Sequence, residues 1–201
     1  MLKQIPNALT LARLVLAPVI AWAIWQAYNS TDEAAQGWTI WSAVLFIFAA
    51  LTDLFDGMAA RAFDAHSKFG RLIDPIADKA LVGLPLIALS IVAAQTPWPF
   101  WWAIAASTTV IVLRDTTMTI LRMTAKDGEG ARVSSLAKIK TALELIVIGV
   151  LLVAVAAATQ IAAEGWSDVL YPAWVALLVI TAALSAYTAW QYLAPARKPA
   201  S

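Results

Sequence analysis

The stretch Asp53-Leu-Phe-Asp56-Gly57-Met-Ala-Ala60-Arg61, then eight intervening residues, Gly70 and Asp74-Pro-Ile-Ala-Asp78, sets four carboxylates in and beside strongly apolar sequence. Ionised carboxylates are costly in a membrane and sit there for a purpose. At helical spacing Asp53 and Asp56 share one face, as do Asp74 and Asp78. Two such helices side by side aim all four at one point. Uncompensated, the four would repel and shift toward protonation; a divalent cation removes that difficulty. With no Cys and one His in the chain, oxygen ligands suit magnesium, manganese or calcium better than zinc.

The interleaved residues fit a ligand lying against this surface. Gly57 follows Asp56 where a side chain would obstruct, Ala60 is small one turn on, and Arg61 carries a permanent charge that can fork onto phosphate. Gly70 opens space or a turn. Asp74 precedes Pro75, which biases it toward an extended or capping conformation at the start of a helix. Residue chemistry thus describes a metal-bound phosphate or pyrophosphate at the cytoplasmic membrane surface. Structural pairing of these aspartates with Arg61, Arg71 or Lys79, a proton relay and an ion-coupling site stand beside that reading.

Working outward, 61% of the 201 residues are hydrophobic and 13% charged, against about 45–50% and about 25% in soluble domains. The chain is expected to be an all-α integral membrane protein. Six segments, near 8–28, 38–60, 72–94, 98–122, 136–160 and 169–193, reach the roughly 20 apolar residues a span needs. The connections 29–37, 95–97 and 161–168 contain no Lys or Arg, so all 14 fall on the other side. Translocating basic residues is disfavoured, which predicts six transmembrane helices with both termini cytoplasmic. A net charge of +1 gives no global field for nucleic acid.

Residues 2–8 are expected to form a short N-terminal interfacial segment, with Asn7 or Thr10 capping the first span. Lys3, an apolar run and Ala21-Trp-Ala23 have the outline of a signal peptide, but Arg13 interrupts the run, Pro18 bends it and five spans follow. The ten Trp residues cluster mainly at span ends, as an interfacial belt does. One domain, 1–201, suffices, with a disordered tail from about 195.

The run resembles the signature of the CDP-alcohol phosphotransferase family, D-x2-D-G-x2-A-R-x8-G-x3-D-x3-D, at all eight positions. The resemblance implies six transmembrane helices around a two-metal site, with Mg2+ or Mn2+ as cofactor. Such a site binds a CDP-linked donor and passes its phosphatidyl or similar group to an alcohol. It implies that Asp53, Asp56 and Asp74 ligate metal and that Asp78 ligates metal and acts as general base. Gly57, Ala60, Arg61 and Gly70, with Asp53 and Asp56, would hold the CDP part of the donor, and a homodimer is implied.

The acceptor must be read from the remaining cytoplasmic surface. Arg114, Arg122, Arg132, Ser134, Lys138, Lys140 and Thr141 gather there, and so many cations with hydroxyls suit an anionic acceptor. Inside-positive bias and anionic lipid headgroups would also collect them. Ile5-Pro-Asn-Ala-Leu-Thr-Leu-Ala-Arg13, Asp74 to Lys79, Arg114 with Arg122, and Val133 to Thr141 are similar to patches of phosphatidylglycerophosphate synthases, a group within that family. This implies CDP-diacylglycerol as donor and glycerol 3-phosphate as acceptor, with the acceptor phosphate on Arg114, Arg122, Ser134, Lys138 and Lys140. Asp115 departs from the Arg-Glu pair of many such synthases. Arg-Asp also occurs in related cardiolipin synthases, whose acceptor is phosphatidylglycerol. A transporter is the alternative of a different class, but the acidic cluster lies near one face and no paired broken helices occur. No targeting element is evident, which points to a bacterial inner membrane.

Overall fold

The computed structural model describes residues 5–63, 68–96, 98–124, 135–161 and 166–193. They form six helices: α1 (Ile5–Asn29), α2 (Asp32–Phe63), α3 (Lys68–Gln95), α4 (Trp101–Thr124), α5 (Ser135–Ile161) and α6 (Trp166–Leu193). There is no strand among the described residues. Each helix contains a stretch of 20 to 25 residues apolar enough to cross a bilayer, so the chain is a multi-pass membrane protein. A helix satisfies its own backbone hydrogen bonds, which hydrocarbon requires of a spanning segment.

The helices pack in a closed order, α1 against α2, α2 against α5, α5 against α6, α6 against α4, α4 against α3, and α3 back against α1. α3 is the most buried of the six spans and α2 the least. Contact between α2 and α3 is slight, because α1 lies between them. Small residues let backbones approach, as at Gly149 of α5, where an added Cβ would stand 3.4 Å from the Phe46 ring of α2. Polar side chains join helices at a few points. Ser90 donates to Thr108 at 2.7 Å between α3 and α4, and Trp174 of α6 donates through Nε1 to the Val147 carbonyl at 2.7 Å. Trp174 is therefore a core residue, not part of an interfacial belt. Trp22, Trp41, Trp101, Trp102 and Trp190 are exposed, as a belt requires.

Several boundaries differ from the expectations above. Residues 5–8 are continuous with the first span and form no separate interfacial piece, and residues 1–4 lie outside the described residues. Neither Asn7 nor Thr10 caps α1, since the helix is already under way at Ile5. Pro75 stands inside α3, not at its start, so Asp74 is helical and Gly70 belongs to the first turn of the helix. Proline costs an internal hydrogen bond, a loss that packed neighbours and local adjustment absorb in membrane helices. Pro18, Pro85 and Pro172 are accommodated in the same way.

Candidate active site

Every buried ion pair among the described residues lies at one end of the bundle, where α1, α3 and α5 begin and α2, α4 and α6 finish. Asp53 is the last residue of its apolar stretch, and Asp78 lies five residues inside the stretch that opens at Ile73. At 1.5 Å per residue that is a depth of about 8 Å. The charges therefore gather toward one end of the apolar stretches, away from their middle.

The first cluster is assembled by α1. Thr10 and Arg13 are three residues apart on one helical face, and both are buried. Arg13 donates through one terminal nitrogen to Asp53 of α2 and to Asp78 of α3. Thr10 donates to Asp74 of α3. Carboxylates from two helices with little mutual contact thus converge through a third. The guanidinium is only 3% exposed, whereas the Asp53 and Asp78 side chains are 31% and 40% exposed. Arg13 forms the floor, and the acids keep a face open.

A divalent cation fits this donor set. Carboxylates from two helices gather at the Arg13 guanidinium. Hard oxygen donors are what magnesium, manganese and calcium require. Asp74 is occupied with Thr10, so among the described side chains no three acids close on one point. The side chains of Asp56, Ala60 and Arg61, with whatever lies against Gly57 and Gly70, fall outside the described residues. The backbone of α2 continues as helix through Phe63.

The second cluster begins one residue after Asp78. Lys79 of α3 pairs with Asp115 of α4 at 2.8 Å. Arg114 reaches the same carboxylate at 2.8 Å, and Lys140 of α5 contacts it as well. Lys140 also pairs with Glu144 at 2.9 Å, and Arg114 donates to Thr188 of α6 at 3.0 Å. Three cations face two carboxylates, which leaves one positive charge in excess. In the first cluster two aspartates meet one arginine, with Asp74 beside them on Thr10, so the excess is negative. Exposure in the second cluster falls from Lys79 at 24% through Arg114 at 9% to Lys140 and Glu144 at 0%.

Of the expected acceptor residues, the structure brings Arg114 and Lys140 together. It encloses Lys140 between two carboxylates, leaving it no surface. Ser134 and the side chains of Arg122 and Lys138 lie outside the described residues. Thr10, Arg13, Lys79, Asp115, Glu144 and Thr188 were not among the expected site residues. Arg13, Asp115 and Glu144 do carry a readable signal, a charge within an apolar run. Thr10 and Thr188 carry none. The apolar cavity of about 200 Å3 bounded by Ile24, Leu89 and Leu152 lies toward the opposite end and holds no carboxylate or base.

Fold and site together define a polytopic membrane protein with adjacent acidic and basic clusters at one end of its bundle. The sequence pattern of CDP-alcohol phosphatidyltransferases matches residues 3–190. The chain belongs to that family, whose members work with divalent metal ions. It is 35% identical over 150 residues to the CDP-diacylglycerol–glycerol-3-phosphate 3-phosphatidyltransferase of Cereibacter sphaeroides, covering 74% of this chain and 62% of that protein. It is 36% identical over 155 residues to the protein of the same name from Bacillus subtilis, covering 74% and 76%. To a probable phosphatidylglycerophosphate synthase of Mycobacterium tuberculosis it is 33% identical over 162 residues, covering 81% and 72%.

Proposed function

We propose that this chain transfers the phosphatidyl group of CDP-diacylglycerol to glycerol 3-phosphate, releasing CMP. The observation that carries this reading is the adjacency of Asp78 and Lys79, consecutive residues of α3 that serve clusters of opposite excess charge. A metal-held diphosphate suits the acidic cluster, and an anionic acceptor suits its basic neighbour. The names of the relatives specify that donor and that acceptor.

In this reading Asp53, Asp56, Asp74 and Asp78 hold the divalent cations, two ions of Mg2+ or Mn2+. Gly57, Ala60, Arg61 and Gly70 receive the CDP portion. Bound cations would offset the negative charge that gathers on departing CMP. Asp78 takes the proton of the acceptor hydroxyl as its oxygen bonds to the phosphorus that carries diacylglycerol. The bond from that phosphorus to the bridging oxygen breaks, and CMP leaves with the oxygen. Arg114, Arg122, Ser134 and Lys138 meet the acceptor phosphate, with Lys140 enclosed behind Arg114. The reaction faces the cytoplasm of a bacterial inner membrane, in a homodimer.

Asp115, directly after Arg114, favours one second reading, a cardiolipin synthase of the same fold that uses phosphatidylglycerol. Purified protein in detergent with CDP-diacylglycerol, Mg2+ or Mn2+, and each acceptor in turn separates them. CMP release with glycerol 3-phosphate is expected. Release with phosphatidylglycerol alone would move the assignment to the second reading, and no release with any alcohol would reopen transport.

A further inference from the structure

We infer that Asp115 is a positioning residue for the acceptor, and that buried Lys140 acts through it and not on the substrate; this rests on the acceptor site proposed above. Three cations converge on the Asp115 carboxylate, from α3, α4 and α5. Two of them, Lys79 and Arg114, retain exposed surface, and the third has none. A cation with no surface cannot meet a soluble anion without displacing its partners. Lys140 has two such partners, Asp115 and Glu144.

The arrangement is a gradient. Glu144 fixes Lys140 within one helix at i, i+4 spacing, Lys140 holds Asp115 across to α4, and Asp115 presents Arg114 and Lys79 toward the open side. Arg114 is held from its other terminal nitrogen by Thr188, so its plane is set from two directions. Fixing a guanidinium in advance lowers the ordering cost when an anion binds. The same carboxylate also ties the basic cluster to the residue beside Asp78. Its loss should therefore misplace the acceptor while sparing the donor.

The test measures KM for acceptor and for CDP-diacylglycerol, and kcat, in Asp115→Asn and Asp115→Glu. Loss of charge-assisted contacts predicts an acceptor KM raised about ten-fold or more in Asp115→Asn. Donor KM should stay unchanged, and Asp115→Glu should return the acceptor KM to within about three-fold of the original. Parallel loss of donor and acceptor affinity with no recovery in Asp115→Glu means a general structural role and overturns the inference. Lys140→Met, made alone and with Asp115→Asn, tests the route. If Lys140 acts through Asp115, the double variant is no worse than Asp115→Asn, whereas additive losses would make Lys140 a substrate contact.

Should Asp115→Asn not fold, Asp115→Ser takes its place, alone and with Lys140→Met. A raised acceptor KM with donor KM unmoved supports the inference, and no change overturns it. Stabilisation against heat by inorganic phosphate is read alongside. The inference stands if phosphate stabilises the parent protein and Asp115→Glu but not Asp115→Asn. It falls if phosphate stabilises all three alike or does not stabilise the parent. A parent that uses phosphatidylglycerol alone would refute the glycerol 3-phosphate assignment, and Asp115 would then be judged on the KM for that lipid.

Discussion

The two charge clusters are neighbours on α3 yet are built on opposite plans. Around Asp78, acids from two helices surround one buried arginine and stay open to the outside. Around Asp115, cations from three helices surround one buried carboxylate. Consecutive helical residues point about 100° apart, as follows from 3.6 residues per turn. Asp78 therefore faces α1 while Lys79 faces α4. A single helix between two partners can hold a cation-seeking and an anion-seeking site side by side without letting them neutralise each other. The lesson is that net charge over the region says little; the helix each charge faces says nearly everything.

The sharpest way to break this contrast is Asp78→Asn, which keeps shape and removes the base. Turnover should fall by at least about 100-fold, with helical circular dichroism and elution volume unchanged. Full activity in that purified variant would remove Asp78 from the chemistry. Next in size is Arg13→Met. Removing one partner of a buried pair costs about 3–5 kcal/mol. Here the loss should be largest in EDTA and partly recovered in Mn2+, because a divalent cation would take over the repelling aspartates. Melting temperatures with and without Mn2+ read this, and an equal loss in both conditions would detach Arg13 from the metal-competent group.

Arg114→Lys probes the other cluster. It keeps the charge but loses the fork that reaches both Asp115 and Thr188, and should raise the acceptor KM by about three- to ten-fold. Donor KM is the control, and a matching rise there would mean that the clusters are not separate. The smallest effect is expected at Ser90→Ala, which removes the α3–α4 hydrogen bond away from both clusters. Side-chain hydrogen bonds between membrane helices are worth about 0.6 kcal/mol, so a small fall in melting temperature with every KM intact is the expected outcome. A shifted KM would show that the α3–α4 seam transmits to the site.

Much of the architecture was legible because the membrane restricts the solutions. Apolar length and the one-sided placement of Lys and Arg gave six spans; five helices extend those spans, α2 by six residues at its start, while α4 begins three residues later than expected, at Trp101. The aspartate motif was legible as a cation-seeking surface, and its pattern carried the family. Less visible was the means of convergence. Helical spacing suggested α2 and α3 meeting directly, but α1 intervenes and supplies Arg13 and Thr10. A hydroxyl in an apolar helix gives no sign of which neighbour it will face. Pro75 misled for a similar reason, since a local preference yields when packing pays for the lost bond.

What the sequence determined by itself was therefore the class of solvent, the number of crossings, the end of the bundle that carries charge, and the oxygen-rich chemistry of the motif. Those depend on composition and on spacing along one helix, which covalent order alone specifies. Tertiary structure decided which charges meet. It set Lys140, an expected acceptor residue, between Asp115 and Glu144 with no exposed surface, and it sent Asp78 and Lys79 to opposite clusters. The reason is physical: the energy of a charge in a membrane protein depends on partners within a few ångströms, and those partners come from other helices.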